Sequence, residues 1–350
     1  MKTPRVTICV PARNAAITIS RTLDSILAQD YPNYEVFVCD NSSTDNTIEI
    51  VKGYQNRGVR YYINPDISGG AEANWNYALN LAEGPLVAIY HADDIYAPDM
   101  VRKQVEFMQV NSSASAVFTM SERINEKDQP IRVGNLKLPK EFKGQDLFSF
   151  PELFNAVLKY GTITIVPTMM ARKSILDKVG NFDWQQFYSA SDIDLYLRIA
   201  KIGPIGIIDE PLHKYRLSPT QGSNSINKTR THLAHFFWVL DAWLSNNENN
   251  QVVKPINYKI YKLNRVVDQI SSAKNLLIMG KHNQAGIMLI KELKLTHFFT
   301  AFQQPVNLTP LIGGIIMLVS IKLGLGTLSG KFMEKAKNLK SQWQLKPVKK

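Results

Sequence analysis

Cysteine is nearly absent: the chain has two, Cys9 and Cys39, in 350 residues. They fall in two different apolar runs and do not suggest a disulfide framework, which leaves buried, reduced thiols of a cytosolic protein as the expectation. There is no GxGxxG after the first apolar run and no GxxxxGK followed by Ser or Thr, which disfavours dinucleotide-binding and P-loop enzymes. Gly69-Gly70 alone is a weak signal. No apolar stretch approaches the roughly 20 residues that span a bilayer. The most apolar, Leu311–Ile321 (LIGGIIMLVSI), is bounded by Pro310 and Lys322. Met1–Arg5 leads straight into an apolar run without the features of a secretory signal, so none is expected.

Acidic residues are scarce at one end. Residues 251–350 hold 16 Lys and Arg against Asp268, Glu292 and Glu334, so this stretch carries +13 of a chain whose net charge is +11. The first 250 residues are therefore close to neutral. A basic region binds nucleic acid or an anionic membrane face. The lysines lack the aromatic interleaving of single-strand binders, so no nucleic-acid partner is expected. The apolar Leu311–Ile321 run beside them favours a peripheral membrane surface, with a core helix of a helical cap as the other reading.

What is present is an alternation of periods. Val6–Val10 reads as a buried parallel strand. Ile19, Leu23, Ile26 and Leu27 recur at helical spacing until Asp30-Tyr31-Pro32-Asn33 breaks the helix. Strands are expected at Tyr34–Cys39, Val59–Ile63 and Pro85–Tyr90, with helices over Thr44–Tyr54 (Thr44 as N-cap) and Glu72–Ala82. This succession predicts an α/β fold with a doubly wound, mostly parallel sheet. Further on, Pro98–Val110 reads as helix, Ala114–Met120 as strand, 121–147 as an inserted polar loop, Ile163–Ala171 as strand, and Asp192–Lys201 as an amphipathic helix. From about Thr229 the chain reads as helical, with Asn246–Asn250 (NNENN) a turn. The expected division is 1–112, 113–225 and 226–350.

Ligands of open α/β sheets bind beyond the carboxyl ends of the strands. Three such ends carry Pro11-Ala12-Arg13-Asn14, Asp40-Asn41-Ser42-Ser43-Thr44-Asp45, and His91-Ala92-Asp93-Asp94. Without a glycine-rich cradle, a diphosphate needs another positive charge. A divalent cation on Asp93 and Asp94 supplies it, since hard oxygen ligands suit Mg2+ or Mn2+. A turn or helix cap is the alternative reading of that pair.

The segments VTICVPARN, EVFVCDNSSTDNT, AEGPLVAIYHADD, and VGNFD with SASDIDLYLRIAKIG resemble, in order and spacing, family 2 of the inverting glycosyltransferases, of the bacterial cell-surface polysaccharide type. The resemblance covers about residues 4–218. It implies a GT-A fold: a Rossmann-like, mostly parallel central sheet flanked by helices, here with a C-terminal helical extension. It also implies a nucleotide pocket lined by Pro11, Ala12, Arg13 and Asn14, with Asp40 on the base and Asn74 near the donor. Asp93 is implied as ligand of ribose or metal, Asp94 as chief ligand of Mn2+ or Mg2+, and Asp192 as catalytic base. LHKYRLSPTQGS reads as a polar loop after the last strand, in which Arg216 or His213 is implied to close over the diphosphate, His213 also being a candidate metal ligand.

The chain departs from the family pattern at three places. His91 stands where an acidic residue is frequent, Ser191 precedes Asp192 where Glu is frequent, and Ala15-Ala16 replaces an acidic residue. Asp192 has its own physical argument, since inversion needs a base on the acceptor side and a helix N-terminus orients a carboxylate. Capping of its own helix is the alternative. Asp194 reads as structural, Arg198 as an ion-pair partner within the helix, and Trp184 as either an acceptor-stacking face or core.

The function expected is transfer of a sugar from a nucleotide diphosphate, UDP by default, to a hydroxyl of a glycan or lipid-linked acceptor, at the cytoplasmic face of the membrane. A non-catalytic nucleotide-sugar binder or scaffold is the alternative, and substitution of Asp192 discriminates the two. A metal-dependent hydrolase or nucleotidyltransferase would want a more basic loop after the first strand than Arg13 provides.

Overall fold

The computed structural model describes residues 3–66, 70–132, 134–218, 229–302 and 308–347. Gly69, Val133, Pro219–Ser223 of the polar segment and the last lysines, Lys349 and Lys350, lie outside the described residues. Two compact units are formed, Met1–Leu217 and Ser218–Lys350.

In the first unit, β1 (Val6–Ala12) is buried along its whole length. It lies parallel between β2 (Tyr34–Asp40) and β4 (Leu86–Ile89), and β3 (Val59–Ile63) extends the sheet beyond β2. A strand covered on both faces has no solvent side to place polar residues on, which is why its sequence is a continuous apolar run. Helix α1 (Ile19–Leu27) buries Ile19, Thr22, Leu23 and Ile26 on one face, as its spacing predicts. Each aliphatic side chain so buried contributes about 1.5–3 kcal/mol. Helix α2 is shorter than expected, Thr47–Lys52 with Asn46 as N-cap. Thr44 donates instead to Asn14, and Asp45 accepts from Ala16 N and Thr47 N at 3.1 and 3.0 Å. Helix α3 spans Gly70–Leu81.

After β5 (Ile95–Tyr96) and helix α4 (Met100–Val110) the sheet becomes mixed. It runs β3-β2-β1-β4-β8-β6-β9-β5, with β6 at Ala116–Ile124, β7 at Leu147–Phe148, β8 at Met170–Arg172 and β9 at Ile205–Arg216. Strand β9 pairs parallel with β6 and antiparallel with β5 and β7. Between β7 and β8, helix α5 (Phe150–Tyr160) starts on a capping box of Ser149 and Glu152, and β8 is followed by α6 (Lys173–Val179) and α7 (Trp184–Phe187).

Three expectations are corrected here. Residues 121–147 are not an irregular loop: β6 continues to Ile124, bridges join Ser121 to Leu136 and Ile124 to Pro130, and Ile131 and Leu138 are buried. Of the strand read over Ile163–Ala171, residues 163–165 are without regular structure, Val166–Thr168 form a 3-10 turn around Pro167, which has no N–H for a ladder, and only Met170–Arg172 pairs. Residues 213–216 belong to β9, not to a loop.

The second unit is helical. Its core gathers Leu263, Val266, Ile270, Ala273 and Leu277 of the long helix Pro255–Ile278 with Leu289, Leu311 and Met317 of later helices. The NNENN stretch is mostly a short helix, Asn247–Gln251, capped by Asn246 Oδ1. Leu311–Ile321 lies within the helix Leu308–Lys322, which buries Leu311, Gly314 and Met317 while Ile312, Ile315, Ile316 and Val319 are exposed. No helix among the described residues is long and apolar enough to cross a membrane.

Candidate active site

The parallel pairing of β1, β2 and β4 brings their carboxyl ends to one edge. Asn14 and Ser42 there adopt left-handed backbone, φ 50° and 55°. Asn14 fastens the first two loops together: its N–H donates to Ser43 Oγ at 2.9 Å, and its Oδ1 accepts from Thr44 N at 2.7 Å. Pro11 and Ala12 are buried within β1, whereas Arg13 is exposed and makes no side-chain hydrogen bond or ion pair among the described residues. Asp40 is 2 % exposed and accepts from Ser43 N at 2.8 Å and from Ser43 Oγ. Asn74 is buried with both ends of its amide engaged, donating to Cys39 O at 2.9 Å and accepting from Asn64 Nδ2 at 3.2 Å.

At the end of β4, ligand atoms of His91, Asp93 and Asp94 all lie within 4.8 Å of one another. Hydroxyls of Thr18 and Thr22 hold this turn by donating to Ala92 O at 3.0 Å each. Asp94 is fully buried: Oδ1 accepts from Arg216 N at 2.8 Å, and Oδ2 lies 2.9 Å from His213 Nε2. His213 Nδ1 lies 2.9 Å from Ser121 Oγ, a juxtaposition made by the irregular register of β6 on β9 that sets Ser121 opposite His213. With both ring nitrogens engaged, His213 stands behind Asp94 as its support. Burial holds it neutral, down to about 3.

Arg216 also stands behind the pair. It is 2 % exposed, its Nε donates to Asp93 O at 2.7 Å, its Nη1 to Asn125 O at 2.9 Å, and it pairs with Asp128.

Burial raises both Asp93 and Asp94 well above the usual carboxylate range, and repulsion from Asp94 raises Asp93 further. The fold thus holds two carboxylates together where both charges are penalised. A divalent cation would remove that penalty. His91 adds an imidazole whose Nδ1 lies 3.9 Å from Asp94 Oδ2 and whose Nε2 is buried without a hydrogen-bond partner among the described residues. Two carboxylates and a free imidazole are a donor set that fits a divalent ion.

Helix α8 (Ser191–Ile202) carries Asp192 in its first turn. Asp192 Oδ1 accepts from Ile193 N at 2.8 Å. Burial, with a smaller contribution from the Glu72 carboxylate of α3, pushes Asp192 up to about 7. Asp194 faces inward and bonds Arg198 Nε at 2.7 Å, and Arg198 Nη2 donates to Asn181 O at 2.8 Å, which secures the turn before α8. Asn76 of α3 holds the same turn from the other side, accepting from Phe182 N and donating to Phe182 O. Trp184 begins a short helix and is half-buried.

His91, Glu72, Trp75 and Ser121 were not singled out by sequence reasoning as contributors. Only His91 left a trace there, as a departure from an acidic position. The others reach the site through tertiary packing that no local spacing reports.

The family profile described as Glycosyl transferase family 2 matches residues 7–180. The UDP-Glc:alpha-D-GlcNAc-diphosphoundecaprenol beta-1,3-glucosyltransferase WfgD of Escherichia coli is 31% identical over 225 residues, 64% of this chain and 80% of that one. The chain belongs to glycosyl transferase family 2. Among solved structures, this family 2 transferase resembles S. aureus TarS in complex with UDP-GlcNAc, with a TM-score of 0.59 at 16% identity over 91% of this chain and 92% of that one. It also resembles the mannosyltransferase PcManGT from Pyrobaculum calidifontis in complex with GDP-Man and Mn2+, with a TM-score of 0.55 at 21% identity over 91% and 88%. At such identity the likeness speaks for the fold, and the mixed, mostly parallel sheet of the first unit is a GT-A sheet.

Proposed function

We propose that this transferase moves a sugar from a nucleotide diphosphate donor, UDP-linked, to a hydroxyl of a glycan or lipid-linked acceptor, with inversion and with Mn2+ or Mg2+. The observation that carries the reading is the His91, Asp93 and Asp94 group on one strand end together with Asp192, a carboxyl shifted to about 7, at the start of α8. The name of WfgD, with its UDP-linked donor and diphosphoundecaprenol acceptor, supports UDP and a lipid-linked acceptor in cell-surface polysaccharide synthesis.

When bound, the cation supplies positive charge to the departing diphosphate. Asp93 and Asp94 hold it, and His213 and Arg216 orient Asp94 and the Asp93 carbonyl from behind. Pro11, Ala12, Arg13 and Asn14 line the nucleotide side, where the unpaired Arg13 is free to meet phosphate. Asp40 reads the base while Ser43 N–H and Oγ orient its carboxylate. Asn74 serves as a strut between β2 and β3, its amide being already engaged. Asp192, ionised, accepts the proton of the attacking hydroxyl.

Titration calorimetry with UDP, GDP and dTDP, each with Mn2+ and with EDTA, tests the reading. UDP alone of the three should bind with Mn2+ and not with EDTA. If none binds with the cation present, the proposal fails.

The C-terminal unit fits attachment at the cytoplasmic face of the membrane. In helix Gly326–Gln344, Leu328, Phe332, Leu339 and Trp343 form an exposed apolar stripe at helical spacing, and Lys331, Lys335 and Lys340 are exposed beside it. The full chain should co-sediment with phosphatidylglycerol-containing vesicles and not with phosphatidylcholine alone, and Phe332→Glu with Trp343→Glu should abolish this. Equal sedimentation of wild type and double variant would remove the membrane from the proposal.

A further inference from the structure

We propose that the His91 imidazole is a third protein ligand of the cation and biases the site towards Mn2+ over Mg2+; this rests on the metal-dependent reading above. Among the described residues no hydrogen bond occupies either ring nitrogen: Nε2 is buried without a partner, and Nδ1, the nitrogen offered to the cation, faces Asp94 Oδ2 at 3.9 Å. Buried polar atoms in folded proteins are almost always satisfied, so a ring left open beside two carboxylates marks a missing partner. Two ligands bonded at about 2.1 Å to one ion stand up to about 4.2 Å apart. The 3.9 Å separation lies within that span, and the 4.8 Å spread of the whole group contracts to it by about half an ångström.

The ring is also held for this purpose. Trp75 of α3 stacks on His91 with centroids 5.4 Å apart and planes inclined by 22°, and Phe182 closes edge-on against Trp75 at 5.1 Å. Hydrogen bonds from Asn76 to both backbone groups of Phe182, at 2.8 and 2.9 Å, fix that edge in turn. A ligand whose orientation is set before the ion arrives loses little entropy on binding it.

Ligand type then decides preference. Asp at this position would offer a third hard oxygen and suit Mg2+. Imidazole is a poorer ligand for Mg2+ than for first-row transition ions, so His91 tilts the site towards Mn2+. It also leaves the cation and two carboxylates with no net charge, where a third carboxylate would leave a negative site facing an incoming diphosphate.

The experiment is pulsed electron paramagnetic resonance of Mn2+ bound to the metal-free full chain, with Mn2+ and Mg2+ affinities by competition calorimetry, on wild type, His91→Asp and His91→Gln. Wild type should show modulation from one imidazole nitrogen. His91→Asp should keep Mn2+, lose the nitrogen signal, and shift the Mn2+ to Mg2+ affinity ratio towards Mg2+ on the order of tenfold. His91→Gln should lose the signal and weaken Mn2+, and unchanged circular dichroism of both variants certifies the fold. Bound Mn2+ without nitrogen modulation in wild type, or with modulation that survives His91→Asp, overturns the assignment. A chain that binds neither cation overturns instead the metal-dependent reading on which it stands.

Discussion

Asp192→Asn is expected to lower kcat by about two to four orders of magnitude, the usual contribution of a positioned general base, while nucleotide and Mn2+ titrations stay as in wild type. Asn keeps the size of the side chain and an oxygen to accept from Ile193 N, so the start of α8 is preserved. The proton acceptor is lost. The pH profile supplies a second signature. Burial raises the Asp192 carboxyl to about 7, and a base acts only when ionised. At saturating Mn2+ the wild-type kcat/KM for acceptor should therefore climb with pH and level off above about 7, a rise absent from Asp192→Asn. Glu72→Gln removes the neighbouring negative charge and should move that rise to lower pH. An Asp192→Asn variant with wild-type turnover would remove Asp192 from the role of base.

Asp94→Ala should reduce Mn2+-dependent nucleotide binding by about 100-fold or more, as loss of a direct ligand exceeds the 10–100-fold typical of removing a ligand's support. It should also destabilise the fold. Arg216 N and His213 Nε2 both lean on this carboxylate in a fully buried setting, and each group left unsatisfied costs about 1–3 kcal/mol. Asp94→Asn separates the two effects: it keeps volume and an acceptor for Arg216 N, so it should melt near wild type while still losing the cation. If Asp94→Asn binds UDP with Mn2+ as wild type does, the carboxylate pair is not the cation site.

The features that were legible in the sequence share one property: a local signal sufficed. The apolar run Val6–Val10 belongs to a strand buried on both faces, and the helical spacing of Ile19, Leu23 and Ile26 reports one packed face. Asp93-Asp94 followed an apolar strand directly, so its place at a strand end could be read. Arg216 could not, because its burial under Asp93 depends on pairing of β9 with β6, about ninety residues earlier in the chain. Residues 121–147 looked irregular because their order comes from β-bridges and from Arg21 and Arg216 reaching Asp128, not from periodicity. His91 read as a weakened acidic cluster. Its free ring nitrogens and its stack on Trp75 emerge only once α3 lies against the end of β4.

The position of β9 also fixes when the protein becomes competent during synthesis. This strand lies between β6 and β5, pairs with β7 as well, and supplies both His213 and Arg216 to the back of Asp94. A nascent chain that has cleared the ribosome only to Gly203 already carries the His91–Asp94 turn and Asp192, yet β5 and β7 lack their partner and the Asp94 carboxylate lacks both Arg216 N and His213. Support for Asp94 therefore arrives late and abruptly, with the last dozen residues of the first unit, and a stop between α8 and β9 leaves a chain that has Asp93, Asp94 and Asp192 but not the strand that holds Asp94 in place.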